Sequence, residues 1–200
     1  MVNMKTSLDI KPLLLVPVLA LLALPLIGSF DTWLTLSVAG LAMGMIIFIM
    51  ASGLTLVFGL MDVLNFGHGV FIALGAFVAT SVMSGMADWT QSQELWRNVV
   101  AVGSAMALAM VAASIIGLAF ERFIVRPVYG QHLKQILITM GGMIIGEEII
   151  KVIWGPLQIA LPLPEAMRGS LLWGDASLEK YRLMAVVVGL LVFALQAWTL

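Results

Sequence analysis

The chain of 200 residues has no cysteine, two histidines and few charges, with Asp, Glu, Lys and Arg making up 10% of it. The lack of cysteine excludes a disulfide framework, a thiolate nucleophile and any sulfur-ligated metal. The scarcity of charge excludes an ordinary soluble domain, in which about 25% of residues are charged. Ten basic and 11 acidic residues nearly cancel, so nothing matches the phosphates of a nucleic acid. Apolar residues make up 62% of the sequence, more than a globule of this size can hide. With a mean hydropathy of +1.09, the solvent for most of the chain is lipid. The 14 methionines read as flexible apolar filler.

The few charges are clustered, and the runs between clusters have the length of membrane spans. Pro12–Ser29 is uncharged over 18 residues, Trp33–Met61 over 29, Asn98–Phe120 over 23 and Leu183–Leu200 over 18. Val63–Ala87 has no Asp, Glu, Lys or Arg, although Asn65 and His68 interrupt it, and Gln135–Trp154 is apolar apart from Glu147, Glu148 and Lys151. A helix needs about 20 apolar residues to cross a core roughly 30 Å thick. Six spans are expected, near 12–29, 33–61, 70–87, 98–120, 135–154 and 183–200, in a single transmembrane domain over 1–200. Barrel strands would alternate polar and apolar residues, and these runs do not. The expected fold is therefore an all-α, polytopic transmembrane helical bundle.

Five runs follow the first, so it reads as a retained helix and not a cleaved signal peptide. An N-terminus in the cytoplasm puts Lys5, Lys11, Arg122, Arg126 and Lys134 in short inner segments, where basic residues weigh most on orientation. Both termini are then inside. Gly155–Arg182, broken by Pro156, Pro162 and Pro164, is the long outer loop.

Three constellations carry information beyond the spans. As one straight helix, Trp33–Met61 would be about 44 Å long, so either it tilts and protrudes or the backbone breaks near Asp62–Gly69. Gly67 and Gly69 flank His68, Asn65 and Phe66 precede them, and glycine relieves steric limits on the backbone. From the residues alone, a short turn capped by Asn65 and His68 is the simpler account. The alternative is irregular backbone at membrane depth, which survives only inside protein or beside a water-filled cavity. Ala101, Ala105, Ala109, Ala113 and Gly117 form a ladder of small residues on one helix face, suited to close packing within the chain or, less simply, to a dimer or pore interface. Gly40 and Gly44 make a shorter version. Glu147 and Lys151 are an i, i+4 pair, which leaves Glu148 without a partner in its own helix and makes it the candidate for facing a cavity.

The stretch GLTLVFGLMDVLNFGHG, followed by GAFVA, resembles the permease subunits of bacterial branched-chain amino-acid ABC transporters. Gly53, Leu54, Thr55, Phe58 and Gly59 match the opening of the family's motif. Asn65, Phe66, Gly67, His68 and Gly69 match its Asn-Phe-small-His-Gly core, with glycine at 67 where alanine is more usual. Arg126-Pro127 resembles the Arg-Pro that follows the next span, and the similarity runs from about Leu36 to Leu200. It implies an inner-membrane permease working with a second homologous permease chain, two cytoplasmic ATPase subunits and an extracytoplasmic substrate-binding protein. The substrate would be leucine, isoleucine, valine or a relative, or else urea or a short amide. The resemblance also implies that an ATPase-docking loop would come after Leu200, so the chain reads as the N-terminal part of the family fold.

Enzymatic function is disfavoured. An intramembrane hydrolase needs a nucleophile with a base, or paired carboxylates, and only His68, Glu147 and Glu148 stand in the spans as bases. There is no HExxH zinc motif, and no metal or other cofactor is expected. An ion-coupled secondary transporter fits the composition, and only the composite motif speaks against it.

Overall fold

The computed structural model describes residues 10–199. In chain order they form α1 (Ile10–Ile27), α2 (Phe30–Met61), α3 (His68–Gly85), the single turn α4 (Ala87–Thr90), α5 (Leu95–Phe120), α6 (His132–Trp154), the strands β1 (Ser170–Trp173) and β2 (Ala176–Glu179), and α7 (Lys180–Thr199). The fold is an all-α helical membrane bundle with one small hairpin. Four helices are long and apolar enough to cross a membrane: Phe30–Met61, His68–Gly85, Leu95–Val128 and Lys180–Trp198. In α1 the apolar stretch Leu14–Ile27 is shorter, and α6 carries Lys134, Glu147, Glu148 and Lys151. Lys5 and Leu200 lie outside the described residues.

The pattern of burial is that of helices set in an apolar medium. Large apolar side chains project outward, with Leu26 87%, Val152 84% and Trp198 89% exposed, while the buried apolar residues include the small Ala42, Ala101, Ala105 and Ala109. Helices in lipid gain nothing by hiding leucine from lipid tails, so they meet through small residues that let backbones approach. The chain divides into two compact units, one reaching Ile46 and resuming at Gly169, the other Ile47–Arg168.

In the first unit, Pro17 and Pro25 lie inside α1, and each removes a backbone donor from the helical ladder. The chain turns at Gly28, whose φ of +76° is left-handed, and Trp33 Nε1 donates to Ala20 O at 2.6 Å, tying α2 to α1. The stretch expected as an irregular outer loop contains an antiparallel hairpin, with Ser170 opposite Glu179 and Trp173 opposite Ala176. Its two-residue turn has Gly174 first at φ +61°, as a II′ turn requires. Ser177 N donates to Thr35 Oγ1 at 3.2 Å, which holds β2 against α2.

The second unit is built on α3, α5 and α6, and α5 packs most extensively on α3. Ala101, Ala105 and Ala109 are buried, so these three rungs of the ladder pack within the chain, while Ala113 and Gly117 are half-buried. By contrast, Gly40 and Gly44 are exposed, with open space where a Cβ would stand. Asn98 is a buried clasp at the start of α5. Its Nδ2 lies 2.7 Å from Ser92 O and 3.2 Å from Trp89 O, and its Oδ1 accepts Ala166 N at 3.1 Å. Trp154 Nε1 donates to Ser81 Oγ at 2.7 Å, joining the end of α6 to α3. Trp89 and Trp96 meet edge to face near this same end. At the opposite end the α5 ladder widens into a π-helical turn over Glu121–Val125 and tightens into a 3₁₀ turn at Arg126–Val128, because Pro127 has no N–H to continue it. There Tyr129 donates to Glu121 Oε1 at 2.6 Å, and that bond, ahead of desolvation and the carboxylate's charge, raises the phenol's pKa.

Candidate functional site

At 32 residues, α2 is about 48 Å long, so the overlong apolar run is one helix that then breaks. The break is the six residues from Asp62 to Gly67. Asp62 opens it in the left-handed region at φ +52°, with its N–H bonded to Phe58 O at 2.9 Å. Aspartate tolerates this helix-ending conformation better than most residues.

From there the chain folds back along α2. His68 Nε2 lies 3.1 Å from Met50 O, and Met50 precedes the end of α2 by about 16 Å of helix. The connector therefore returns beside the last turns of α2 and closes in a turn, with His68 N bonded to Asn65 O at 3.3 Å. It is irregular backbone that begins at the exposed end of α2 with Asp62 and packs back against the helix through His68. A carbonyl only accepts, so the ring nitrogen facing Met50 O carries the hydrogen. Nearby, Ser52 and Thr55 return their hydroxyls to Ile49 O and Ala51 O, both at 2.9 Å, a pattern that loosens a helix.

Backbone groups left out of a helix need partners, and two side chains supply them. Asn65 Oδ1 accepts Gly67 N at 3.0 Å in a local turn. Thr139 of α6, fully buried, accepts Phe66 N at 3.3 Å and lies 3.2 Å from Leu64 O. Its hydroxyl has one hydrogen, and Gln135 O at 2.7 Å is the nearest acceptor. One helical turn earlier, Gln135 is 1% exposed and its Oε1 has no partner among the described residues. Thr139 and Gln135 escaped the sequence reading. The signal lay in α6: Gln135, Thr139, Gly142 and Gly146 fall on one helical face, the polar pair toward the break and the glycines against α3 and α5. A Cβ at Gly146 would stand 2.6 Å from Val70 Cγ1, and one at Gly142 would run into the Phe120 ring.

The glycines of the motif differ in what they relieve. Gly67 has φ −74°, so it is needed for space and not for left-handed backbone: a Cβ there would lie 3.2 Å from Asn65 Oδ1 and 3.6 Å from Thr139 O. Gly69 has open space around it. Gly53, in the motif's first half, lets the His68 ring close on α2, since its Cβ would stand 3.2 Å from the imidazole.

Two cavities flank the break. One, of about 450 Å³, is lined by Leu54, Thr55, Phe58, Val63, Leu64, Asn65, Phe66, His68 and Gly69. It is polar at Thr55, Asn65 and His68 and apolar elsewhere. The other, of about 270 Å³ and almost wholly apolar, lies among α3, α5 and α6 and is bounded by Gly67, Phe71, Phe120 and Gly146. Asn65, Phe66, Gly67, His68 and Gly69 are thus brought together. Glu148 is not part of this group. Its carboxylate pairs with Lys151 at 2.6 Å, and both side chains are largely exposed. The expected Glu147–Lys151 pair gives way to the i, i+3 alternative, because both spacings face each other on a helix and the lysine chooses between them. Among the described residues, no three His, Asp or Glu side chains gather as a metal site.

Charge distinguishes the two ends of this unit. Arg97, Lys151 and Arg168, at the tryptophan-rich end, each pair with a glutamate three residues away. At the end bearing the break, Arg122, Arg126 and Lys134 have no ion pair among the described residues, and Asp62 meets His132 at 3.8 Å with both side chains exposed.

Residues 36–199 match the family model described as branched-chain amino acid transport system, permease component. Neither a curated relative nor a solved structure matches the chain significantly.

Proposed function

The chain belongs to the permease-component family of branched-chain amino acid transport systems, and on that premise we propose that it forms the membrane path of a bacterial ABC importer for branched-chain amino acids or close analogues. The observation that carries the reading is the folded-back Asp62–Gly67 segment, which lines a cavity with Thr55, Asn65 and His68 at one part and apolar side chains around the rest. Such a lining suits a small solute with polar ends and an aliphatic side chain. Irregular backbone beside a cavity is also how membrane transporters place exchangeable hydrogen-bonding groups at depth.

In this reading the permease performs no covalent chemistry. Two cytoplasmic ATPase subunits supply the energy, an extracytoplasmic binding protein delivers the solute, and a second permease chain completes the path. Six crossings in the bacterial inner membrane put the break and the unpaired Arg122, Arg126 and Lys134 on the cytoplasmic side, as inner-side basic residues favour. An ion-coupled carrier would want a carboxylate in the cavity. Those lining it include none, and Glu148 is held by Lys151.

The test is uptake in vesicles carrying the full-length permease, its partner permease, the ATPases and the binding protein. ATP-dependent accumulation of leucine or valine is expected, with loss on His68→Ala at matched membrane levels. Accumulation driven by an ion gradient without ATP would overturn the proposal.

A further inference from the structure

The hairpin Ser170–Glu179 presents an unusual surface. Leu171, Leu172 and Trp173 are 53%, 77% and 74% exposed, and they follow one another along one strand. Successive strand residues point to opposite faces, so Leu171 and Trp173 cover one face of β1 and Leu172 the other. A protein partner laid on a sheet needs one apolar face. A strand apolar and exposed on both faces is suited to immersion in an apolar medium.

The two edges of the hairpin also differ. Trp173 and Ala176 close the two-residue turn, and Leu172 pairs with Ser177. The Ser177 N–H turns away from β1 to Thr35 Oγ1 at 3.2 Å, so this is a non-hydrogen-bonded pair and the Leu172 N–H and C=O point out from the free edge. The docked edge is β2; the free edge is β1. Unpaired backbone groups exclude the hydrocarbon core, where each costs several kcal/mol. At the headgroup level, water and lipid esters satisfy them. The chain fixes that level: β2 runs into α7 at Lys180, and Lys180 N bonds back to Gly169 O at 3.2 Å. The hairpin therefore stands where a membrane-spanning helix begins, the depth at which tryptophan and the stems of Lys180 and Arg182 are at home.

We propose that β1 of this hairpin is a lipid anchor, its Leu171-Leu172-Trp173 edge seated in the headgroup region beside the start of α7. It fixes how deep α7 sits and holds the hairpin over Asp31–Thr35 of α2. The partner is the phospholipid surface itself, and the proposal does not depend on which solute is carried.

The chain has no cysteine, so single cysteines labelled with an environment-sensitive fluorophore report position directly. Trp173→Cys and Leu172→Cys, reconstituted in phosphatidylcholine–phosphatidylglycerol vesicles, should both show blue-shifted emission. Both should be quenched more by a phospholipid spin-labelled near the headgroup than by one labelled deep in the acyl chain, while Gln93→Cys is quenched by neither. As a label-free check, Trp173→Ser should remove part of the native fluorescence loss caused by headgroup-level brominated lipid. Unquenched probes at 172 and 173 would overturn the proposal. So would quenching on one face only, or shielding from a water-soluble quencher without quenching by lipid, which would mean a second protein covers the strand.

Discussion

Replacing Thr139 by valine tests how the break is held. The substitution keeps the side chain's shape and removes the oxygen that accepts Phe66 N at 3.3 Å. That N–H then has no partner beside α6, at a general cost of about 1–3 kcal/mol for a buried unsatisfied donor. The bond is long, and side-chain hydrogen bonds within membranes average only about 0.6 kcal/mol, so the expected loss is about 1 kcal/mol. The Thr139→Gln135 O bond of 2.7 Å lies within α6, where the backbone already uses that carbonyl, so its loss adds little. About 1 kcal/mol corresponds to a roughly fivefold rise in the open population of the segment. Hydrogen exchange across Asp62–Gly67, followed by mass spectrometry in nanodiscs, should quicken by about that factor, while exchange in Ala76–Ser84 of α3 stays unchanged. Thr139→Ser restores the hydroxyl and should restore the rate. If the valine variant exchanges like the parent at Asp62–Gly67, Thr139 does not hold the break and the reasoning fails.

Three other outcomes follow from the same geometry. Gly67→Val should abolish transport while Gly69→Ala is tolerated, because only the former meets Asn65 Oδ1 and Thr139 O; equal uptake by the two variants at matched membrane levels would contradict the spatial role. Asn98→Ala leaves the backbone groups around Trp89, Ser92 and Ala166 without their clasp and should lower stability by about 2–3 kcal/mol, read as a lowered midpoint of thermal unfolding in detergent. For orientation, an impermeant maleimide added outside whole cells should label Gln93→Cys but not His132→Cys, and the reverse pattern would invert the assignment of the basic end.

Much of the fold was legible because spans in lipid need long apolar runs, and each expected run coincides with a helix beginning two or three residues earlier. The break was legible as a place, from the overlong run and the Asn65–Gly69 cluster. Its return along α2 was not, because that depends on His68 meeting Met50 O, a tertiary contact with no local signature. What Gly67 relieves was hidden for the same reason: glycine marks either a left-handed φ or a close approach, and only the position of Asn65 Oδ1 distinguishes them. Thr139 and Gln135 were passed over because isolated polar residues in an apolar helix look like tolerated exceptions, although their spacing of four already put them on one face with Gly142 and Gly146. The hairpin did have a signal, Gly174-Asp175 between SLLW and ASLE, masked by the prolines before it. Glu148 illustrates a limit of spacing rules, since i, i+3 and i, i+4 pairs compete on nearly equal terms.

On the proposed function, the folded-back segment borders a water-accessible solute path and not lipid. Thr55 lines the 450 Å³ cavity, in the half of α2 facing the break. In a chain without native cysteine, Thr55→Cys should react with a charged methanethiosulfonate reagent, which needs a hydrated thiolate. The reaction should slow when ATP and solute-loaded binding protein drive the assembled transporter. A Thr55→Cys thiol as inert as one introduced at Leu190, exposed on the apolar α7, would contradict the proposed path.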